Sequence, residues 1–395
     1  MTKDAEPLMK KMLALISPVA SRPLLSLGLL WLLMHLLLYH KYGVRIVFDS
    51  HRYLAYATSV ETGTTYWQQA DSVFYASYTF FIYLVLYVLR LPLETIIVMQ
   101  VLVSGVATIF FYKTLYAATS SRIAAFFGAL LYLIWPQIHS WNFYIHTESL
   151  YISFTIFILY YIRKLPYNGW KHFLIITLLL CFSLFLRPNG LFLTLGVIAG
   201  YTFHSRHRFR RGYVLLSIAL LAPILLFGAN LVLEVYSPIQ YLLQGQAIQG
   251  YDSVSVEFST QELPEKEPVL LQIASFILEQ PLAYSKLLLL RFGYLWGQVR
   301  PYYSSIHNIA IVVFFLPVYT LALRGVWKAF KDSKSIFMLT VMLLQTIMAM
   351  VVAVDWDNRF VAPLLPFVFY FAAVGFGSYD IVKLTSYKIC TPSRS

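Results

Sequence analysis

Residues 44–57 read VRIVFDSHRYLAYA and place Arg45, Asp49, His51 and Arg52 within eight positions. A carboxylate beside cations is a group able to take a proton from a hydroxyl. Arginine adds a planar, always charged fork that grips phosphate. Further on, IHSWNFYIHTESLY (138–151) holds His139, Asn142, His146 and Glu148, and Arg187 sits in LRPNGL. Arg291, Arg300, Tyr302, Tyr303 and His307 lie in LLLLRFGYLWGQVRPYYSSIHN, and Asp355, Asp357 and Arg359 in VDWDNRFVAPLLPF. Together these groups suit a lipid phosphate as ligand, with a carboxylate beside it able to act as a general base.

The frame that must position them is membrane-embedded. The chain has 395 residues, 59% hydrophobic and only 12% charged, with mean hydropathy +0.67. Soluble domains carry about 25% charged residues. The reading is an all-α polytopic membrane protein, with no cleavable signal peptide expected. Two cysteines, Cys181 and Cys390, are too far apart in sequence to suggest a disulfide framework or a metal site. The net charge of +12 reads as membrane orientation rather than nucleic-acid binding. The basic run HSRHRFRR (204–211) is an orientation signal of the same kind.

A membrane span needs about 20 mostly apolar residues. Runs of that character fall near 22–40, 93–112, 122–138, 148–163, 171–186, 188–203, 212–236, 306–324, 335–353 and 361–379. Pro188 and Gly190 break the chain between the fifth and sixth. The Tyr- and Phe-rich run 73–89 reads as interfacial, giving about ten transmembrane helices; if it crosses, there are eleven. With the N-terminus inside, the cytoplasmic segments hold 20 of the 30 Lys and Arg, and the outer segments 14 of the 18 acidic residues. Both termini are then cytoplasmic. Three regions follow: a transmembrane module over 1–236 with its first outer loop at 41–92, an outer loop with interfacial helices over 237–305, and C-terminal helices over 306–395.

This arrangement resembles the GT-C glycosyltransferases, the clan of protein O-mannosyltransferases and bacterial lipid A aminoarabinose transferases. The resemblance covers nearly the whole chain. It rests on the Asp of FDSHRY, the acidic residue of HTESLY, the RPNG break and the NRFVAPLLPF hairpin. It implies a GT-C-like bundle with outer-face interfacial helices in a compact bacterial protein, placed in the inner membrane. The first loop carries Asp-Ser rather than paired Asp-Glu, and no large soluble insertion follows, which leaves the acceptor open.

The expected function is an inverting membrane glycosyltransferase. A sugar moves from a polyprenyl-phosphate donor to an acceptor hydroxyl on the outer face. Inversion and the lipid donor are implied by the resemblance. Asp49 is the expected base; Glu148, Arg187, Arg291, Arg359, Arg52, Tyr302, Tyr303 and His307 are the expected substrate residues. No metal ligands are assigned, although the resemblance leaves a divalent metal open and His139 and His146 would be its candidates. The partners are the donor, membrane lipids and an unidentified acceptor, with no nucleic acid. Structural alternatives stand beside these roles. Asp49 can pair with Arg52 at i,i+3, Glu148 can serve a helix dipole, and Arg187 can satisfy carbonyls freed by Pro188. Arg359 can pair with Asp355 or Asp357, Arg291 can snorkel, and the 302–307 rings can be interface anchors. Other functional classes remain: a transporter or flippase of polyprenyl-linked glycans, for which no internal repeat stands out, and a polymerase or ligase of surface polysaccharide.

Overall fold

A computed structural model describes residues 22–63, 65–69, 71–163, 170–204, 230, 243–259 and 268–379. They are mostly helical, as a chain in hydrocarbon must be: with no water at hand, each N–H and C=O needs a partner within its own element. Four helices are long and apolar enough to cross a membrane: α1 (Pro23–Tyr42), α4 (Glu94–Thr119), α12 (Ser305–Ala329) and α13 (Ser333–Val352). Two bent pairs raise the number to six if each is one span. The first is α5 (Arg122–Ile134) with Pro136–Phe143, bent by 58°; the second is α10 (Val269–Glu279) with α11 (Pro281–Gly297), bent by 110°. Pro136 and Pro281 open the second member of each pair, and a proline removes the amide that would continue the ladder. Of the ten spans expected, four to six thus stand on length and composition among the described residues. Shorter apolar helices occupy other expected places: Ser72–Val88, α8 (Trp170–Leu184), α9 (Gly190–His204) and Ala362–Gly377. The expected span at 212–236 lies outside the described residues.

The chain forms two compact units. The first comprises Met1–Thr194, Phe315–Ser335 and Ala362–Ser395; the second, Leu195–Phe314 and Ile336–Val361. In the first, α4 packs on α5 and on α7 (Glu148–Arg163), and α14 (Leu365–Gly377) packs on α5 and α4. Nearly every residue of α14 is buried. It approaches α12 so closely that a Cβ on Gly325 would lie 1.9 Å from the Phe371 carbonyl oxygen, and one on Gly375 2.0 Å from that of Leu321. Small residues permit such crossings where lipid offers no hydrophobic drive between helices. Helix α1 exposes Leu25, Leu29, Leu32, Leu33, Leu36 and Leu37, an apolar face that suits hydrocarbon and not water. The protein is membrane-embedded.

Inside this unit a polar network replaces the water that lipid excludes. The carboxamide of Gln100, fully buried, donates to the carbonyls of Asn142 (3.0 Å) and Tyr144 (2.9 Å) and accepts from Tyr78 (2.8 Å). His35 Nδ1 donates to the Trp31 carbonyl (2.8 Å), leaving Nε2 to accept from Asn142 Nδ2 (2.9 Å). Ser149 donates to Asn142 Oδ1 at 2.5 Å. Asn142 thus ties α1, α7 and the 141–147 segment together.

In the second unit, the region read as an outer loop contains a two-stranded antiparallel hairpin, Gln246–Ile248 with Tyr251–Ser255, and the bent pair α10–α11. Gly245 (φ +62°) and Gly250 (φ +72°) supply the left-handed turns.

Gln100→Leu tests the network. It strands two buried carbonyls and the Tyr78 hydroxyl, each costing about 1–3 kcal/mol. Thermal melting of the purified protein in nanodiscs should fall by several degrees, and Gln100→Glu should not restore it, since a carboxylate cannot donate to two carbonyls.

Candidate functional site

The segment carrying Asp49 does not hang free. The Arg45 amide donates to the Phe143 carbonyl (2.8 Å), and Ile145 donates back to the Arg45 carbonyl (3.2 Å). This parallel bridge lays residues 45–47 along 143–146. One step on, His146 Nε2 donates to the Val47 carbonyl (3.0 Å). A tight turn follows, closed by Ser50 N–H on the Val47 carbonyl (3.0 Å). Its second residue, Phe48, has φ 48° and ψ −115°, the geometry of a type II′ turn, where glycine normally sits. A bulky residue there carries strain, of order 1–3 kcal/mol. Such strain persists only where the surroundings dictate the conformation, and here the bridge does. The chain then enters α2 (Asp49–Glu61).

Asp49 is the first residue of that helix. Its carboxylate lies 3.0 Å from Arg52 Nη2, so the i,i+3 pairing is real, and Arg52 Nη1 reaches Asp71 at 3.2 Å. Tyr56, a turn further along, donates to the other Asp71 oxygen at 2.5 Å. Burial, then the neighbouring Asp71 carboxylate, pushes the Tyr56 phenol well up, so it stays a donor. Two carboxylates share one guanidinium, which also lies over the Tyr75 ring. The Asp49 side chain remains 26% exposed, enough to meet a substrate. Just before it, at the end of α1, Lys41 and Arg45 both stack on Tyr42. The spacing of residues gave no hint of Asp71, which follows Arg52 by the rest of α2 and one 3-10 turn. Nor did it distinguish Arg45 and Lys41 from ordinary flanking charge.

Glu148 and Arg187 meet as well, but in the interior. Glu148 is 0% exposed and Arg187 4%. Arg187 Nη1 lies 3.1 Å from Glu148 Oε1, and His146 Nδ1 3.7 Å from Oε2. Arg187 also lies over the Tyr151 ring, whose hydroxyl donates to the Asn189 carbonyl. The Arg187 position follows from the break between α8 and α9. A Cβ on Gly190 would sit 2.1 Å from the Ser183 carbonyl oxygen, so only glycine permits that reversal. The pair neutralises a charge that the interior could not otherwise hold. Its partner is thus a carboxylate and not the carbonyls freed by Pro188.

In the second unit, Arg291 is completely buried. Its guanidinium donates to the carbonyls of Gln246, Met350 and Val351 at 2.7–3.0 Å. It neither snorkels nor presents itself to a phosphate: the hairpin and the end of α13 consume its donors. Arg300 is used similarly, on the carbonyls of Tyr294, Val299 and Asp355. The buried Asp355 carboxylate accepts the amides of Asp357, Arg359 and Phe360 at 2.6–3.0 Å. It shapes the 355–360 turn, and Arg359 projects from that turn half-buried. Tyr302 donates to the Trp356 carbonyl and Tyr303 to Asp357 Oδ1 (3.4 Å), with His307 stacked on Tyr303.

Among the described residues no three His, Cys, Asp or Glu side chains gather as a metal would require. His139 is instead in the interior, its Nε2 on the Tyr132 carbonyl and its ring edge-on to His35. No family of proteins, no curated protein and no solved structure matches this chain.

The Glu148–Arg187 pair makes a sharp prediction. Arg187→Met should cost about 3–5 kcal/mol, because it abandons a buried carboxylate. Glu148→Gln combined with Arg187→Met should cost clearly less than the sum of the two single changes. Additive losses in a double-mutant cycle, read from thermal unfolding in nanodiscs, would mean that the two groups do not interact.

Proposed function

We propose that this protein is a multi-pass membrane glycosyltransferase that moves a sugar from a polyprenyl-phosphate donor to an acceptor hydroxyl. The observation that carries the reading is the placement of Asp49: a partly exposed carboxylate opening a helix right after a membrane-length one, held beside Arg52 and Asp71. Glu148 fits the role of base poorly because its carboxylate is sealed from solvent. In the proposed reaction the Asp49 carboxylate takes the acceptor O–H proton. The freed oxygen forms a bond to the anomeric carbon from the face opposite the phosphate. The carbon–oxygen bond to phosphate breaks, and polyprenyl phosphate leaves with the electron pair. Asp71 draws part of the Arg52 charge away from Asp49, and Tyr56 fixes Asp71. Arg45 and Lys41 are suited to the lipid phosphate, standing where α1 ends and a headgroup would lie. The order of FDSHRY, HTESLY and RPNG along the chain, similar to GT-C enzymes, supports the same reading.

The topology proposed with it has about ten spans, with 73–89 along the interface, both termini cytoplasmic and Asp49 outside a bacterial inner membrane. Ser50 is buried, whereas its neighbour His51 is exposed. His51→Cys, made after Cys181 and Cys390 are replaced, should react with an impermeant thiol reagent on intact cells. Labelling that appears only after permeabilisation would put this loop in the cytoplasm.

Asp49→Asn keeps the shape but cannot accept the proton. Turnover with a panel of polyprenyl-phosphate sugars should fall about 10²–10⁴-fold, with donor binding near that of the wild type. Retained turnover would make Asp49 a helix-cap residue alone. A second reading, transport of a polyprenyl-linked glycan, is favoured by the ionisable groups buried in and beside apolar helices, His35, His139 and the Glu148–Arg187 pair. Movement of a lipid-linked glycan across vesicles without bond cleavage would select it.

A further inference from the structure

The second unit carries an aromatic surface that the reaction above does not use. Four rings follow one another: Tyr251 of the hairpin, Tyr302 and Tyr303 ahead of α12, and His307 in its first turn. Neighbouring centroids are 5.2, 5.3 and 4.4 Å apart. Tyr302 and Tyr303 stand at 89° to each other and form a corner. Tyr302 is 43% exposed, and Trp356 beside it 37%.

Rings at the end of a membrane helix usually serve as an interface belt, apolar body in lipid and polar tip toward the headgroups. These two tyrosines point their tips elsewhere. Both hydroxyls turn back into the 355–360 turn, one on the Trp356 carbonyl and one on Asp357. Burial, then the Asp357 charge, holds the Tyr303 phenol well up and keeps it a donor. Both hydroxyls are thus engaged by the turn, while Tyr302 and Trp356 beside it stay exposed. The support is rigid from both sides. Asp355 locks the turn through three amides, and Arg291 pins the hairpin through the Gln246 carbonyl.

We infer that this corner is a saccharide-binding site. A pyranose has one face of weakly positive C–H groups and a rim of hydroxyls. The C–H face suits the negative face of an aromatic ring, and the hydroxyls suit the exposed His307. Fixed apolar walls with a few placed polar groups are the usual build of a small-molecule site, and a site ordered in advance loses less entropy on binding. The inference stands on the second unit alone, independent of any role for Asp49.

The test uses the full chain in nanodiscs, since maltoside detergents would themselves compete. Chitotriose, maltotriose and mannotriose are the probes, read by saturation-transfer NMR. At least one should receive saturation, strongest on the C–H protons of one ring face. Tyr302→Ala and Tyr251→Ala should each weaken that binding about three- to tenfold, the worth of one aromatic contact. Among the described residues the Tyr251 hydroxyl makes no hydrogen bond to the 355–360 turn, so its variant guards against a merely misfolded corner. Tyr302→Phe should keep binding within about threefold. Asp49→Asn should bind saccharide like the wild type, whatever its turnover. The inference falls if none of the three probes receives saturation, or if both alanine variants bind as well as the parent.

Discussion

The first unit is organised around one sealed carboxylate. Glu148 has no access to water, and an isolated charge there would be several kcal/mol too costly to keep. Arg187 answers it with a full charge, 3.1 Å away. The consequences run outward from there. His146, two residues before Glu148, donates from Nε2 to the Val47 carbonyl, and Val47 closes the turn that aims Asp49. Arg187 in turn requires the chain to reverse between α8 and α9, which Gly190 makes sterically feasible. A buried ion pair is thus a poor source of stability but a strong source of register.

The same economy governs the other polar groups in the bundle. Lipid cannot satisfy a carbonyl exposed where a helix breaks. The break after Trp135 frees such groups, and the 141–147 segment that follows is served by Gln100, His35 and Arg45. In the second unit Arg291 performs that service for the hairpin and the end of α13, and Arg300 for the carbonyls of Tyr294, Val299 and Asp355. Arginine suits this work because its five donors are arrayed in a rigid fork. The phosphate-gripping chemistry that its sequence context suggests is then already spent on the protein itself.

The two regions that keep polar groups reachable are accordingly the informative ones. Around Asp49, strain at Phe48 and the shared guanidinium of Arg52 place a carboxylate where a membrane helix ends. Around Tyr302, hydroxyls bonded to the 355–360 turn leave exposed aromatic side chains beside them. One arrangement suits proton transfer and the other suits stacking. Each is held by contacts that would be wasteful if its only task were to anchor a helix at an interface.

The sequence alone determined that this chain lies in a membrane, since 12% charge and long apolar runs admit nothing else, and it located most helices and the RPNG break, because apolar length and proline act locally. It also marked Asp49, Glu148 and Arg187, whose cost in an apolar chain is visible without coordinates. Only the tertiary structure decided what each charge does. Whether an arginine meets a carboxylate, a carbonyl or solvent depends on segments far apart in the chain, as Arg291 with Val351 and Arg187 with Glu148 illustrate. Helix length was undecided for the same reason. A run such as 122–143 has enough apolar residues for one span, and it bends at Pro136 only because neighbouring side chains are there to receive the freed carbonyls. Asp71 stayed invisible until folding carried it to Arg52, because a partner's identity is a matter of distance in space and not of spacing in sequence.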